Sequence, residues 1–286
     1  MSIDKLGVFM RILIVGLGVI GGSYAMALKA AGYEDVYGID NNLETLKKAK
    51  ELEIIKEGYV DGSEIVEKSD LIILSIYPML IKSFIEENKR LLRAGTIITD
   101  ATGIKKPFIE DILKILPKEV DFIFGHPMAG REKRGIDYAS KEVFKGANYL
   151  ITVTDRNIES NIKVLEKIIY EMGFRKIKRI DPFFHDKMIG FTSQLPHAIA
   201  VALINSDEEG RDTGSFIGDS YRDLTRIANI NEELWSELFI GNKDNLIESI
   251  DKFLIEMNNI KSALIKNDDN ELKKIFIKSS NRREKL

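Results

Sequence analysis

With 286 residues, 44% of them hydrophobic and 30% charged, the chain has the balance of a soluble globular protein of about two domains, which excludes disorder as its main state. The 42 basic and 45 acidic side chains leave a net charge of −3, too little positive charge for a general nucleic-acid binder, which works by displacing phosphate counterions. There is no cysteine, so disulfides, cysteine-ligated zinc, iron–sulfur clusters and thiol catalysis are excluded, and the composition fits a reducing cytoplasm.

Residues 1–9 carry Asp4 and Lys5, are too short for a signal peptide, and read as a loose extension before Met10. No apolar run approaches the roughly 20 residues that span a bilayer, so no membrane partner is expected. Residues 11–15 are a β-branched run, read as a buried strand, and residues 19–31 form a helix stopped by Gly32. A strand at 35–39 and a helix at 43–52 follow, then a strand at 71–75 and a helix opened by Pro78 and running to about Leu92. Residues 96–99 are a strand, and Pro107 sits in the first turn of the next helix, where its missing N–H is harmless. Residues 122–124 are a strand ending at Gly125-His126-Pro127, and strands at 149–153 and 175–180 flank a helix that ends near Met172. This alternation implies an α/β fold: a parallel sheet with helices on both faces. After Asp181-Pro182 only helical periodicity remains, which sets a boundary near residue 180 between a sheet domain (1–180) and an all-helical domain (181–286). Within the latter, Leu246, Ile250, Phe253, Met257, Ile260 and Leu264 repeat at 4-3-4-3-4, a narrow helix-packing seam that is either intrachain core or a subunit interface.

The sequence Gly16-Leu17-Gly18-Val19-Ile20-Gly21 is GxGxxG, placed after a strand and at the opening of a helix, with Asp40 ending the next strand. In that context the pattern marks a Rossmann-type dinucleotide site. Gly16 allows the tight turn, Gly18 lets the backbone approach a pyrophosphate, and Gly21 permits close helix–strand packing. The helix start offers free N–H groups and a positive dipole end to the phosphates. Asp40 is positioned to accept from the adenosine ribose hydroxyls. Its charge repels a 2′-phosphate, and Asn41-Asn42 supplies no cation to hold one, so NAD is expected over NADP. Ser75, ending a neighbouring strand, completes the cofactor-binding candidates.

Ligands of open α/β sheets bind outside the carboxyl ends of the strands. His126, in Gly125-His-Pro-Met-Ala-Gly130, stands there and suits proton transfer at neutral pH. The two other histidines, His185 and His197, fall with Gln194 on a predicted helix at 183–206. Pro196 interrupts that helix and frees the carbonyl of Thr192, at a cost of roughly 3 kcal/mol, so a kink is expected there. Gln194 and His197, three apart, share a face. His185 is a helix-end or surface residue on spacing alone. Of Arg222 and Arg226, either is able to clamp a carboxylate with its two-pronged guanidinium. Trp235 reads as core.

At these residues the chain resembles the prephenate/arogenate dehydrogenase family, over about residues 11–264. The resemblance rests on Gly16-Leu-Gly-Val-Ile-Gly-Gly-Ser23, Gly125-His-Pro-Met-Ala-Gly-Arg-Glu132, His185-Asp186, Leu195-Pro-His197 and Arg222-Asp-Leu-Thr-Arg-Ile-Ala228. It implies an NAD-linked oxidative decarboxylation of prephenate to 4-hydroxyphenylpyruvate in tyrosine biosynthesis, with prephenate as substrate and a homodimer formed through the helical half. By the resemblance His126 draws off the ring hydroxyl proton and Arg226 anchors a substrate carboxylate. His197 and Gln194 would line the pocket, with Glu132 and Asp223 near Arg226. The family often has a serine in Asp-x-x-Ser-x-Lys, bonded to the catalytic histidine. Here Asp100-Ala-Thr-Gly-Ile-Lys105 puts Gly103 at that place, and the neighbouring Thr102 is the candidate to supply the hydroxyl. No metal is required.

Three other readings compete. The same reaction on arogenate is the nearest. A two-domain hydroxyacid dehydrogenase or imine reductase would lack His-Pro-Met-Ala-Gly, and a non-enzymatic NAD sensor would not need His126 with Arg226.

Overall fold

In the computed structural model, which describes residues 10–130 and 133–285, one sheet is built from β1 (Ile12–Val15), β2 (Val36–Ile39), β3 (Glu57–Tyr59), β4 (Leu71–Leu74), β5 (Ile97–Asp100), β6 (Asp121–Pro127), β7 (Asn148–Thr152) and β8 (Lys176–Ile180). Their order is β3-β2-β1-β4-β5-β6-β7-β8. Strands β1 to β6 are parallel, the doubly wound order whose reversal between β1 and β4 opens a ligand crevice at the carboxyl edge. Alternate side chains serve opposite faces. Ile12, Ile14, Leu71 and Ile73 pack with helices α1 (Val19–Ala30), α2 (Leu43–Glu51) and α5 (Glu159–Glu171). Leu13, Val15, Ile72 and Leu74 pack with α3 (Pro78–Asn88) and α4 (Lys106–Ile115).

Two features depart from the sequence reading. Strand β3 is an extra edge strand of three half-covered residues, Glu-Gly-Tyr, too short and polar for a hydrophobic run to mark it. Strand β7 runs antiparallel to β6, pairing His126 with Leu150 and Pro127 with Tyr149. Among the described residues the segment between them carries only short 3₁₀ turns, so the chain turns back at the same edge instead of crossing over through a helix. His126 is therefore held inside a strand rather than in a loop after one.

The second half contains α6 (Pro182–Ile189), a π-helical turn (Gly190–Gln194), α7 (Leu195–Asn205), α8 (Asp219–Thr225), α9 (Glu232–Gly241), α10 (Lys243–Ile265) and α11 (Asp269–Arg283). The kink expected from Pro196 takes the form of this π turn. Pro196 has no N–H to give, and the chain widens by one residue just before it. Judged by mean hydropathy, 1.2, instead of by an unbroken apolar run, Pro182–Asn205 has the length and composition of a membrane span. It also carries buried His185, Asp186 and Gln194, which face other parts of this protein. Helix α9 joins the halves. Leu238 enters the core beneath the sheet with α3 and α4, and a side chain at Gly241 would collide with Ile104.

Candidate active site

The glycine loop follows β1 and meets the physical demands of a dinucleotide. Gly16 has φ +84°, a conformation that favours glycine, and a Cβ there would crowd the Ser75 carbonyl. A Cβ at Gly21 would collide with the Gly16 carbonyl oxygen, whereas one at Gly18 meets nothing within 4 Å. Backbone contact with a ligand is thus open at Gly18 and closed to side chains on either side. No side chain caps the start of α1 at Val19 and Ile20, and no acidic residue stands in its first turn. Free N–H groups and the positive helix end fit a dianionic pyrophosphate. Asp40 accepts the Leu17 N–H on Oδ2 at 2.8 Å and the Asn42 N–H on Oδ1 at 2.9 Å. These bonds aim its carboxylate across the loop and leave each oxygen a lone pair for a ribose hydroxyl.

Beside this crevice the ends of β5 and β6 carry a buried polar cluster. Asp100 Oδ1 accepts the Gly125 N–H at 3.0 Å. Its Oδ2 takes the Thr102 N–H at 3.0 Å, the Lys105 ammonium at 2.5 Å and the Thr102 hydroxyl. Asp100 and Lys105 are wholly buried. Burial lowers the Lys105 pKa, and the attraction of Asp100 offsets only part of that shift. The Thr102 side chain is engaged inside this cluster, with the Lys105 ammonium also 3.0 Å away. It does not reach His126, so the expectation that its hydroxyl orients the histidine is corrected. A Cβ at Gly103 would lie 3.8 Å from His126 Nε2, which is why a serine there would reach the ring and a threonine one residue earlier does not.

The partner of His126 is His185. Its Nε2 stands 3.0 Å from His126 Nδ1, and its own Nδ1 is 2.7 Å from Asp186 Oδ1. His185 and Asp186 are buried at the start of the helical half. Asp186 also accepts the Lys105 and Lys106 N–H groups, each at 2.9 Å, and so closes the N-terminus of α4. His126 is partly buried. Burial, then His185, then Lys105 push its pKa well below the ordinary imidazole value. Burial also lowers His185, against the hydrogen bond that its Nδ1 donates to Asp186. Both rings are therefore neutral at neutral pH. Sequence spacing gave His185 no role. Its one signal was adjacency to Asp186 in a chain with only three histidines.

His197 donates from Nδ1 to the Ser193 carbonyl at 2.9 Å and stacks on Trp235, ring centres 3.7 Å apart. Trp235 is half-buried, packs against the core beneath the sheet at its edge, and stands edge-on to Phe239. Gln194 departs from its assignment to the pocket. It is buried, its amide donates to the Leu238 carbonyl and accepts from Asn242, both at 2.8 Å, and it thereby joins the π turn to α9. Arg226 opens a short 3₁₀ turn packed on α7, the helix of His197. Asp223 lies exposed one turn earlier, and Arg222 is paired with Asp219 at 2.6 Å. Glu132 lies outside the described residues.

A family model described as "prephenate dehydrogenase, nucleotide-binding domain" matches residues 24–178, and one described as "prephenate dehydrogenase, dimerization domain" matches residues 181–278. Prephenate dehydrogenase of Bacillus subtilis is 26% identical, over 93% of this chain and 73% of that protein. The crystal structure of Aquifex aeolicus prephenate dehydrogenase in complex with hydroxyphenyl propionate and NAD+ superposes with a TM-score of 0.88 at 29% identity, covering 97% of this chain and 98% of that one. Synechocystis arogenate dehydrogenase gives 0.80 at 26% identity, covering 96% and 99%. The two family models together span most of the sheet half and nearly all of the helical half, and the chain belongs to the prephenate dehydrogenase family.

Proposed function

We propose that this protein oxidises prephenate with NAD, yielding 4-hydroxyphenylpyruvate and CO2, with His126 as the base. The observation that carries this reading is the neutral, half-enclosed imidazole at the carboxyl edge of the sheet, beside a loop shaped for a dinucleotide. Gly16 to Gly21, Asp40 and Ser75 would hold NAD, which would supply the hydride acceptor for the ring carbon that bears the hydroxyl. His126 takes the hydrogen bond, and then the proton, of that hydroxyl. As the carboxylate departs with its bonding electrons left in the ring, the ring becomes aromatic and the proton returns to the oxygen. His126 is regenerated, and no metal enters the balance.

The remaining roles follow from chemistry and position. Prephenate is a dianion in a protein of net charge −3, so a local cation has to hold it. Arg226 is assigned to the pyruvyl carboxylate, which survives the reaction, and His197 on its Trp235 wall lines the pocket. Asp223, one turn before Arg226, is assigned to orient that guanidinium, and by the family resemblance Glu132 is assigned to the same site. Gln194 supports the pocket through the π turn. Residues 1–180 form the NAD-binding domain and residues 181–286 the substrate-binding and dimerisation domain. The working species is a homodimer in the cytoplasm.

Arogenate, with an amino group in place of the keto group, is the second reading, supported by the likeness to the Synechocystis enzyme. The test is the rise of reduced-nicotinamide absorbance on mixing protein, NAD and each substrate. Prephenate is expected to give the higher kcat/KM. A higher value with arogenate selects the second reading, and silence with both overturns the assignment.

A further inference from the structure

Hydrogen-bond chemistry fixes more than the location of His126. Asp186 is a carboxylate that accepts two backbone N–H groups, from Lys105 and Lys106, so its place is set by the start of α4. A carboxylate has no proton to give. His185 Nδ1, 2.7 Å from Asp186 Oδ1, therefore donates. A neutral imidazole carries one N–H, so His185 Nε2 is left with a lone pair. That lone pair faces His126 Nδ1 at 3.0 Å, and His126 Nδ1 must donate to it. The proton of His126 is thereby consigned to Nδ1, and Nε2 is left as the basic nitrogen.

From this chain of donors and acceptors we infer that Asp186 and His185 are positioning residues that hold His126 in the tautomer whose Nε2 is free to accept the substrate's proton. The inference rests on the reading of His126 as the base. The same logic governs a carboxylate behind a catalytic histidine elsewhere: the third group selects the tautomer and fixes the ring without itself changing protonation. Here a second imidazole is interposed. The geometry also explains how the site manages with Gly103. A side chain there would approach Nε2, whereas His185 grips the ring from Nδ1 and leaves the reactive edge to the substrate. The grip comes from the helical half. Asn242 donates to the Asp186 carbonyl and to Gln194 Oε1, each at 2.8 Å, so α6, the π turn and the end of α9 are one hydrogen-bonded unit. Docking of that unit on the sheet half therefore sets the state of a base carried by β6.

Reversal of the bond requires a proton on His185. His185 would then donate to His126 Nδ1, leaving His126 with its proton on Nε2 and no base. The groups that face His185 are Asp186 on its own helix, His126 on β6, and Lys105 and Asp100 on the β5–α4 segment. Burial opposes a proton there more than Asp186 favours one.

The test compares His185→Leu, which removes the acceptor, with His185→Gln, whose side-chain carbonyl is able to accept from His126 Nδ1. His185→Leu is expected to lower kcat by about 10²-fold, within the range for a lost acid–base function. The KM for prephenate and the affinity for NAD should change little, because no substrate contact is removed. His185→Gln should recover much of kcat, a rescue that a merely structural role does not give. Nitrogen NMR of the wild-type imidazoles reads the tautomer directly and requires no variant to fold. The proton is expected on Nδ1 of His126 at neutral pH, moving toward Nε2 in His185→Leu. A wild-type His126 protonated on Nε2, or a His185→Leu enzyme with unchanged kcat alongside a dead His126→Asn, overturns the inference and leaves the base in place. An active His126→Asn instead overturns the reading on which it rests.

Discussion

His126 is placed where a proton is unwelcome, and that has consequences for rate and for stability. A general base works unprotonated, so a pKa held below the ordinary imidazole value of about 6.5 moves the acid limb of kcat/KM below that pH. We expect full activity at pH 6.5, checked by a kcat/KM profile in which a limb at or above that value would contradict the burial argument. The linkage sign is the acid-labile one. In the folded state His126 and His185 bind protons less readily than in the unfolded chain. Their contribution is complete above about 6.5 and is lost as pH falls through the folded values, at up to about 1.4 kcal/mol per pH unit per group. The thermal midpoint should decline through that window, and less steeply in His126→Asn. Arg226 obeys different arithmetic. A handle on the surviving carboxylate binds ground and transition states alike, so Arg226→Ala should raise the prephenate KM more than it lowers kcat. A charge-assisted bond of roughly 1.5–3 kcal/mol corresponds to about 10- to 150-fold. An unchanged KM would assign the substrate to another cation. At this scale the sequence revealed positions better than partners. The position of His126 was legible because Gly125-His126-Pro127 closes an apolar run at a strand end beside the dinucleotide loop. His185 was not, because its partner is 59 residues away and only the docking of two domains buries it. Thr102 was misassigned because spacing does not say which way a hydroxyl points.

Among elements, the glycine loop was the most legible, since each glycine answers a separate steric demand. Gly21→Ala should abolish NAD binding or unfold the loop, because the new methyl would collide with the Gly16 carbonyl. Gly18→Ala has room in the free protein and should cost only ligand affinity. Calorimetric titration with NAD, beside a thermal melt, separates the two. Retained NAD affinity in Gly21→Ala would refute the packing argument. Asp40 belongs to the same element. Replacing it with serine and placing arginine at Asn41 should shift preference toward NADP, measured as the ratio of kcat/KM for the two cofactors, and a wild-type enzyme already faster with NADP would remove the role given to Asp40. The parallel strands β1, β4 and β5 were legible from short runs rich in Ile, with Leu, Val and Thr, of the kind that strands buried on both faces show. The reversal of β7 was not. Direction is set by what the connection does, and a connection of short 3₁₀ turns leaves no periodic signal. The π turn was half visible: Pro196 announced a disturbance but not its form.

At the scale of the whole molecule the open question in the sequence was what the apolar seam of α10 covers. Within one chain it covers little. Leu246 is buried and Ile250, Phe253 and Ile260 are partly covered, but Met257 and Leu264 stand 47% and 58% exposed. Around them Ile247, Leu254, Ile255 and Ile265 are also exposed, joined by Phe276 and Ile277 on α11. Eight large apolar side chains thus stand exposed on one pair of helices, and exposed apolar surface of this kind, where contiguous, marks interfaces. A second copy is the occupant that the family's dimerization domain suggests, and a two-fold interface needs only one self-complementary patch. The catalytic argument points the same way. The helices that hold His185 and His197 are packed against α10, so a partner seated on α10 would stiffen the unit proposed to orient His126. Light scattering at micromolar concentration should give twice the 32.4 kDa chain mass. Ile255→Glu, placing a charge at the centre of the exposed face, should produce monomer with the NAD site intact and a lowered thermal midpoint. A wild-type mass of 32.4 kDa under those conditions would leave the exposed face without its proposed occupant.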